Sequence, residues 1–493
     1  MKANLFVIIA MFAAVWPATG LGAALDIKAI TAKPTACNPQ FDNKKVWPSL
    51  AGDEYFLKQK WPKARLLIWA HPDKNPTRST PLSLLDPANW IDAATGKPSD
   101  TLPDMDTDII LPDADKPYKA IIKKGEKGFA CRHMTIGRNA EFQPAGGGSL
   151  SVFGNVWLHP EGKLYVYRTL AMKGSCDTFI RRNWPEDRKL KKLHDTRTVT
   201  PFDLAIELSR NARTANPWAA GRICHFMTHD KPGKTTEIVG YVNISDEMGI
   251  KSGTFIVGRD SRFLSVGPSA VSVSKGAKVV LMDGSQCSHG QNQFVNKDWN
   301  VTDGGQVTGG TPDRPLKRDA YFGLGYRNWM NLPVPARPKN SKDITVLESG
   351  SKAYYGYGGY NAQIKGDLIA YPAKGSDARL VVCWQRISAG GAGAWGRNDE
   401  VFKKIFPNIL PKIGLWISGT SKVENVRFDD LHRGGIVTAG KDTFKSWKNI
   451  SFGEACLSKN PRELIRGYEA ELAKMKKPNP TSILEPKKEN TTK

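Results

Sequence analysis

Gly137-Arg138-Asn139-Ala140-Glu141-Phe142 recurs 121 residues later as Gly258-Arg259-Asp260-Ser261-Arg262-Phe263. The correspondence continues without a gap. Ser149-Leu150-Ser151-Val152 aligns with Ala270-Val271-Ser272-Val273, and Leu158 aligns with Val279. Each copy reads as strand, Gly-marked turn, strand, turn, strand. A unit repeated in this way buries its apolar face by stacking on the next unit, as in a coil of a parallel β-helix. A second periodic stretch gives the same reading. Val423-Glu424-Asn425-Val426-Arg427-Phe428 matches Trp447-Lys448-Asn449-Ile450-Ser451-Phe452, with Asn425 and Asn449 24 residues apart. That is about one coil, and asparagines at equivalent turns predict a hydrogen-bonded side-chain ladder. The fold class expected is therefore all-β: a right-handed parallel β-helix, or solenoid. A basic, partly helical insertion and a C-terminal capping helix complete it.

The rest of the chain bears on location and partners. It has 493 residues, with 71 Lys and Arg against 48 Asp and Glu, a formal charge of +23. This excess suits an anionic partner drawn in by long-range attraction. Lys2, the apolar run Leu5 to Val15 and the small residues up to Ala24 read as a secretory signal peptide. No other segment has 18 uninterrupted apolar residues, so no transmembrane segment is expected once the signal is removed. The expected location is secreted, cell-surface or periplasmic. There the accessible polyanions are acidic polysaccharides and cell-envelope polymers, and no nucleic acid is expected. The seven scattered cysteines contain no CxxC, which removes zinc-ribbon and thioredoxin-like readings. Walker A, βαβ dinucleotide and GxSxG signatures are also absent.

The segment 177–222 breaks the strand pattern. Arg181, Arg182, Arg188, Lys189, Lys191, Lys192 and Arg197 crowd it, and Thr200-Pro201 opens a helix signature. A second helix is expected over 461–476, with Asn460 as cap and Leu464, Tyr468, Leu472 and Met475 on one face. It would cover the open edge of the last coil.

Asp86-Pro87-Ala88-Asn89-Trp90, Gly304 to Leu316 and Ala320-Tyr321-Phe322-Gly323-Leu324-Gly325 together resemble a G8 domain. In such domains a Gly-Thr-x-x-x-Pro turn leads to the final strand. The stretch Gly419 to Phe428 is similar to pectate-lyase-like β-helix coils. The resemblance covers about half the chain and implies an extracellular, β-helical, carbohydrate-directed protein. It carries no catalytic residue onto this sequence. The organisation expected is a signal peptide at 1–24, an N-terminal cap segment at 25–88 and a G8-like β-helix region at 89–330. C-terminal coils follow at 331–456, then a capping helix and basic tail at 457–493.

Four groups of residues could carry chemistry. Asp429, Asp430, His432 and Arg433 follow a predicted strand and are the catalytic candidates. Glycoside hydrolysis needs paired carboxylates, and a lyase needs a base and a cation for the uronate. Neighbouring strand residues face opposite ways, so Asp429 and Asp430 do not share a groove in regular β geometry. Arg181, Arg182, Trp184, Lys189 and Lys192 form the densest basic patch, and Tyr354, Tyr355 and Tyr357 lie in a Gly-Tyr run. These eight are substrate-binding candidates, with aromatic faces for sugar rings. His225 and His229, four apart, are candidate ligands for a divalent metal, sharing a face in strand or helix. The function expected is binding, with or without depolymerisation, of an acidic polysaccharide by a lyase or glycoside hydrolase. The alternative is a non-catalytic surface, adhesion or envelope protein.

Overall fold

The computed structural model describes residues 25–39, 60–72, 82–122, 128–144, 148–159, 161–182, 222–244, 247–259, 261–265, 271–289, 299–324, 362–384, 415–418, 420–429, 436–438 and 447–452. The protein is all-β over these residues, apart from the short helix Ile27–Ala32 and one 3-10 turn. Its strands form a network of 27 and a separate set of three, almost all paired in parallel.

Three ladders organise the pairings. Ladder 1 starts with Tyr118–Ile122, Ala140–Pro144 and Lys163–Leu164. Its second part belongs to the network, is joined to the first by no described pairing, and runs from 222–224 through Tyr241–Ile244, Arg262–Ser265 and Gln286–His289 to Ser451–Phe452. Ladder 2 starts with Phe129–Cys131 and Leu150–Val152 and ends with Ile436–Thr438. Ladder 3 runs from Arg65–Trp69 and Thr107–Leu111 through Met134–Ile136 to Val423–Glu424. From Tyr118 onward the described chain visits ladders 1, 2 and 3 in that order and then returns to ladder 1 one strand further along. Most residues pointing inward are apolar in every ladder. In ladder 3 Ile109 and Leu111, Met134 and Ile136, and Val156 and Leu158 lie above one another, all fully buried. Burying each such side chain stabilises the fold by roughly 1.5–3 kcal/mol.

The 121-residue repeat corresponds to equivalent places in these ladders. The N–H of Gly137 donates to Leu111 O and that of Gly258 to Ile238 O, each at 2.8 Å, where ladder 3 turns toward ladder 1. A Cβ on Gly137 would lie 2.6 Å from Asp113 N, and one on Gly258 2.7 Å from Ile238 O. The repeated glycines are thus set by close backbone approach. Phe142 and Phe263 then enter the core, both fully buried.

The asparagine ladder is present. Asn425 and Asn449 hold left-handed φ values of 56° and 53°, as does Asn139 at 60°. Asn449 Nδ2 donates to Asn425 Oδ1 at 2.7 Å, and Asn425 Nδ2 donates to Ala370 O at 2.9 Å. Left-handed backbone strains a residue with a Cβ by about 1–2 kcal/mol, and asparagine tolerates it best after glycine. Asn425→Ala should cost about 2 kcal/mol in chemical denaturation from strain and lost hydrogen bonds. Asn425→Gly should recover the strain component but not the side-chain bonds.

The first end of the network is closed by aromatic packing. Trp90–Asp92 pairs antiparallel with Arg65–Trp69, setting Trp90 opposite Trp69. Trp90 stacks on Phe129 and donates its indole N–H to Leu84 O. The segment after the Ile27–Ala32 helix crosses the outside of ladder 3. Lys33 Nζ lies 2.7 Å from Asp113, Ala36 N donates to Thr135 Oγ1, and Asn155 Nδ2 donates to Ala36 O. Residues before Trp90 therefore pack directly on the β body. Thr178–Arg182, placed by sequence in the insertion, is a regular ladder 3 strand paired with Val156–Leu158 and 236–239.

Candidate functional site

Two constellations collect polar chemistry, one outside the ladders and one inside. The outer one lies where ladder 1 passes into ladder 2. Lys163 is exposed, Leu164 is buried and Tyr165 is half-buried, so Lys163 and Tyr165 share the outer face. In the next strand, Arg222–Val239, the register slips beside Val166 and again near Arg222. Ile223 and Cys224 both point inward as a result, and the next two side chains are left outside. These are His225, half-buried, and Phe226, 37% exposed, one of the few large apolar side chains on the described surface. Register slips of this kind re-aim side chains and are common beside functional sites. His225 Nε2 makes a short hydrogen bond with the Tyr165 hydroxyl. Their ring centroids are 5.6 Å apart, and Phe226 lies 6.3 Å beyond His225. One row along the same face, Glu141 sits between Lys119 and Lys163, at 3.6 and 3.9 Å. Two cations and one carboxylate leave that row positive. The outer corner thus offers an aromatic surface, a phenol–imidazole pair able to move protons, and a nearby cation.

The inner constellation lies where ladder 2 passes into ladder 3. Lys231 Nζ donates to Thr178 Oγ1 at 2.7 Å, and Thr178 Oγ1 is 2.9 Å from Thr236 Oγ1. Thr236 Oγ1 is 3.1 Å from His229 Nε2, and His229 Nδ1 is 2.8 Å from Ser252 O. A carbonyl only accepts, so Nδ1 carries the imidazole proton and Nε2 accepts from Thr236. The hydroxyls are then oriented in one sense, and the donors run from Lys231 through Thr178, Thr236 and His229 to Ser252. Lys231, Thr178, Thr236 and His229 have no exposed surface. Burial brings the Lys231 ammonium down to about 7, only partly opposed by Asp177. Burial, with Lys231 adding repulsion, brings His229 down to about 4. One edge further on, His133 accepts from Asn155 N through Nδ1 at 2.8 Å, and its ring meets Trp61 edge-on at 4.3 Å. Burial brings it too to about 4 against the pull of Asp108. Asp108 is held by Arg132 through two 2.7 Å bonds.

The sequence-derived candidates fare unevenly. Arg181 was expected on an exposed basic patch. Instead it is 7% exposed, with its guanidinium 5.0 Å over Trp157. It belongs to a strand whose outer side is covered, where Ala36, Trp157 and Phe179 cluster. Arg182 closes that strand, opposite Leu158. His225 and His229 do not share a face as expected for metal ligands. The register slip puts His225 outside, on Tyr165, and His229 inside, with both ring nitrogens engaged. Among the described residues no three His, Cys, Asp or Glu side chains converge to hold a metal ion. Asp429 pairs with Cys383 in ladder 1. Asp430, His432, Arg433, Trp184, Lys189, Lys192, Tyr354, Tyr355 and Tyr357 lie outside the described residues, as do both expected helices. Cys37, Cys131, Cys176, Cys224 and Cys287 are free thiols. No described helix is long and apolar enough to cross a membrane.

Sequence reasoning missed Tyr165 and Lys231. The alternation Lys163-Leu164-Tyr165 does mark an outward tyrosine, but nothing local pairs it with a histidine 60 residues away. Asp230-Lys231-Pro232-Gly233-Lys234 has the composition of an exposed turn. No family model, curated protein or solved structure matches the chain.

Proposed function

We propose that this chain is a secreted, right-handed parallel β-helical protein that binds an acidic polysaccharide along its outer surface. The cyclic visiting order of the three ladders supports the helical reading, since one strand from each makes a coil that stacks on the last. The observation that carries the binding reading is the outer corner. There Phe226 is exposed beside the Tyr165–His225 pair, on the face that presents Lys163. A sugar ring stacks on aromatic faces, a carboxylate or sulfate seeks a cation, and the chain as a whole is strongly basic.

Retention on immobilised acidic glycans should be strong at low salt and fall as salt rises. Phe226→Ala and Lys163→Gln should each weaken binding about tenfold, or roughly 1.4 kcal/mol. Neither residue contributes to the core, so thermal stability should barely move. Failure to retain any acidic glycan, or unaltered retention by both variants, would refute the reading.

A further inference from the structure

We infer that Tyr165 and His225 are the proton-transfer pair of a β-elimination that cleaves a uronate-containing polysaccharide at the outer corner. This deepens the binding reading and rests on it. Three observations converge. The phenol and imidazole are in direct hydrogen-bond contact. A register slip has placed His225 outside, while its neighbours Ile223, Cys224 and Met227 point into the core. Lys163, 61% exposed at its side chain and only 3.9 Å from its nearest carboxylate partner Glu141, lies on the face from which Tyr165 projects.

The chemistry closes on these groups. A uronate carries an acidic hydrogen on C5, next to its carboxylate, and a glycosidic oxygen on C4. Lys163 holds the carboxylate and stabilises the negative charge that develops when C5 loses its proton. The Tyr165 oxygen takes that proton while its own passes to His225 Nε2. The C5–H electron pair becomes the C4=C5 double bond. The C4–O bond breaks with its electron pair on the leaving glycosyl oxygen, which receives the proton held by His225. Tyrosine ends as a neutral phenol and histidine as a neutral imidazole, so no metal, water or redox partner enters the balance. Phe226 supplies a stacking face for a sugar flanking the cleaved bond.

The test uses the full chain and a panel of uronate polymers: polygalacturonate, alginate, polyglucuronate, hyaluronan and chondroitin sulfate. Retention and cleavage are measured separately. The expected result is ultraviolet absorbance from unsaturated uronate ends on at least one polymer that is also retained. Tyr165→Phe should lower that rate at least about 100-fold while retention stays near wild type. His225→Gln should lower the rate similarly. Lys163→Gln should chiefly raise KM. Circular dichroism and thermal melting check that each variant is folded. Retention without unsaturated ends, reducing ends without the chromophore, or full activity in folded Tyr165→Phe would each overturn the elimination and leave the binding reading standing. Retention of no polymer would overturn both.

Discussion

Acidification from neutral pH to well below pH 4 should remove roughly 7 kcal/mol of stability through two buried histidines. His133 and His229 are 1% and 0% exposed, and burial holds each at about 4 in the folded chain. In the unfolded chain both return to about 6.5. Because the folded values are depressed, protons bind the unfolded state first. The penalty is absent above pH 6.5, grows as pH falls and is complete below about 4. A shift of about 2.5 units at 1.36 kcal/mol per unit gives roughly 3.4 kcal/mol for each. The structural cause at His229 is directional. A second ring proton would sit on Nε2, where the Thr236 hydroxyl now donates, and the bonds back to Lys231 would have to reverse or break. Urea unfolding between pH 7.5 and 4 should show this as a falling midpoint. His229→Gln should have a shallower slope than the wild-type chain. Equal slopes for the two proteins would refute the assignment.

What could be read from the sequence is what the backbone itself enforces. Gly137 and Gly258 recur because neither position has room for a Cβ. Asn425 and Asn449 recur because both turns are left-handed and their side chains bond to one another. The apolar alternation recurs because each strand must present the same inner face to the parallel strand beside it. These are constraints within a strand or between paired neighbours, and they identify an all-β repeat. The chemistry is not local. Tyr165 meets His225 across 60 positions, and Lys231 reaches Thr178 across 53. The 4-residue spacing of His225 and His229 implies a shared face only in an unbroken strand, and the pairing slip breaks that rule where it matters. Arg181 reads as a surface charge because its neighbours in sequence are basic. It is covered because Ala36, some 145 positions earlier, packs beside Trp157 and Phe179.

Polar groups inside the ladders are therefore of two kinds. Thr178, Thr236 and Asn155 supply hydrogen bonds that neighbouring strands would otherwise lack: Asn155 alone accepts from Phe179 N through Oδ1 and donates to Ala36 O. Removing such a group leaves its partners unsatisfied at about 1–3 kcal/mol each. Lys231 is of the other kind, because its partner Thr178 retains the Thr236 hydroxyl when the lysine is removed.

Lys231→Met should accordingly stabilise the protein near neutral pH. The lysine has no exposed surface, and its one hydrogen bond goes to a neutral hydroxyl. Its folded value of about 7 stands against 10.5 in the unfolded chain. Above pH 10.5 both states are neutral and the lysine carries no electrostatic penalty. As pH falls from 10.5 to 7 the unfolded chain takes up a proton that the folded chain does not, and the penalty is complete below 7. About 3.5 units correspond to roughly 5 kcal/mol. Methionine fills a similar volume without charge and gives up one hydrogen bond, worth about 1 kcal/mol. The variant should thus be more stable by about 3–4 kcal/mol at pH 7, and the advantage should vanish as pH nears 10.5, where the lost hydrogen bond leaves it slightly less stable. The buried thiols and Tyr118, whose values burial pushes upward, titrate in both proteins and cancel in the difference. Guanidinium unfolding of the two proteins at matched pH values measures that difference directly. A gap that stays constant with pH would mean that Lys231 is not buried as a depressed amine, and a less stable variant at pH 7 would mean that the chain from Lys231 to Ser252 stabilises the fold more than its charge costs it.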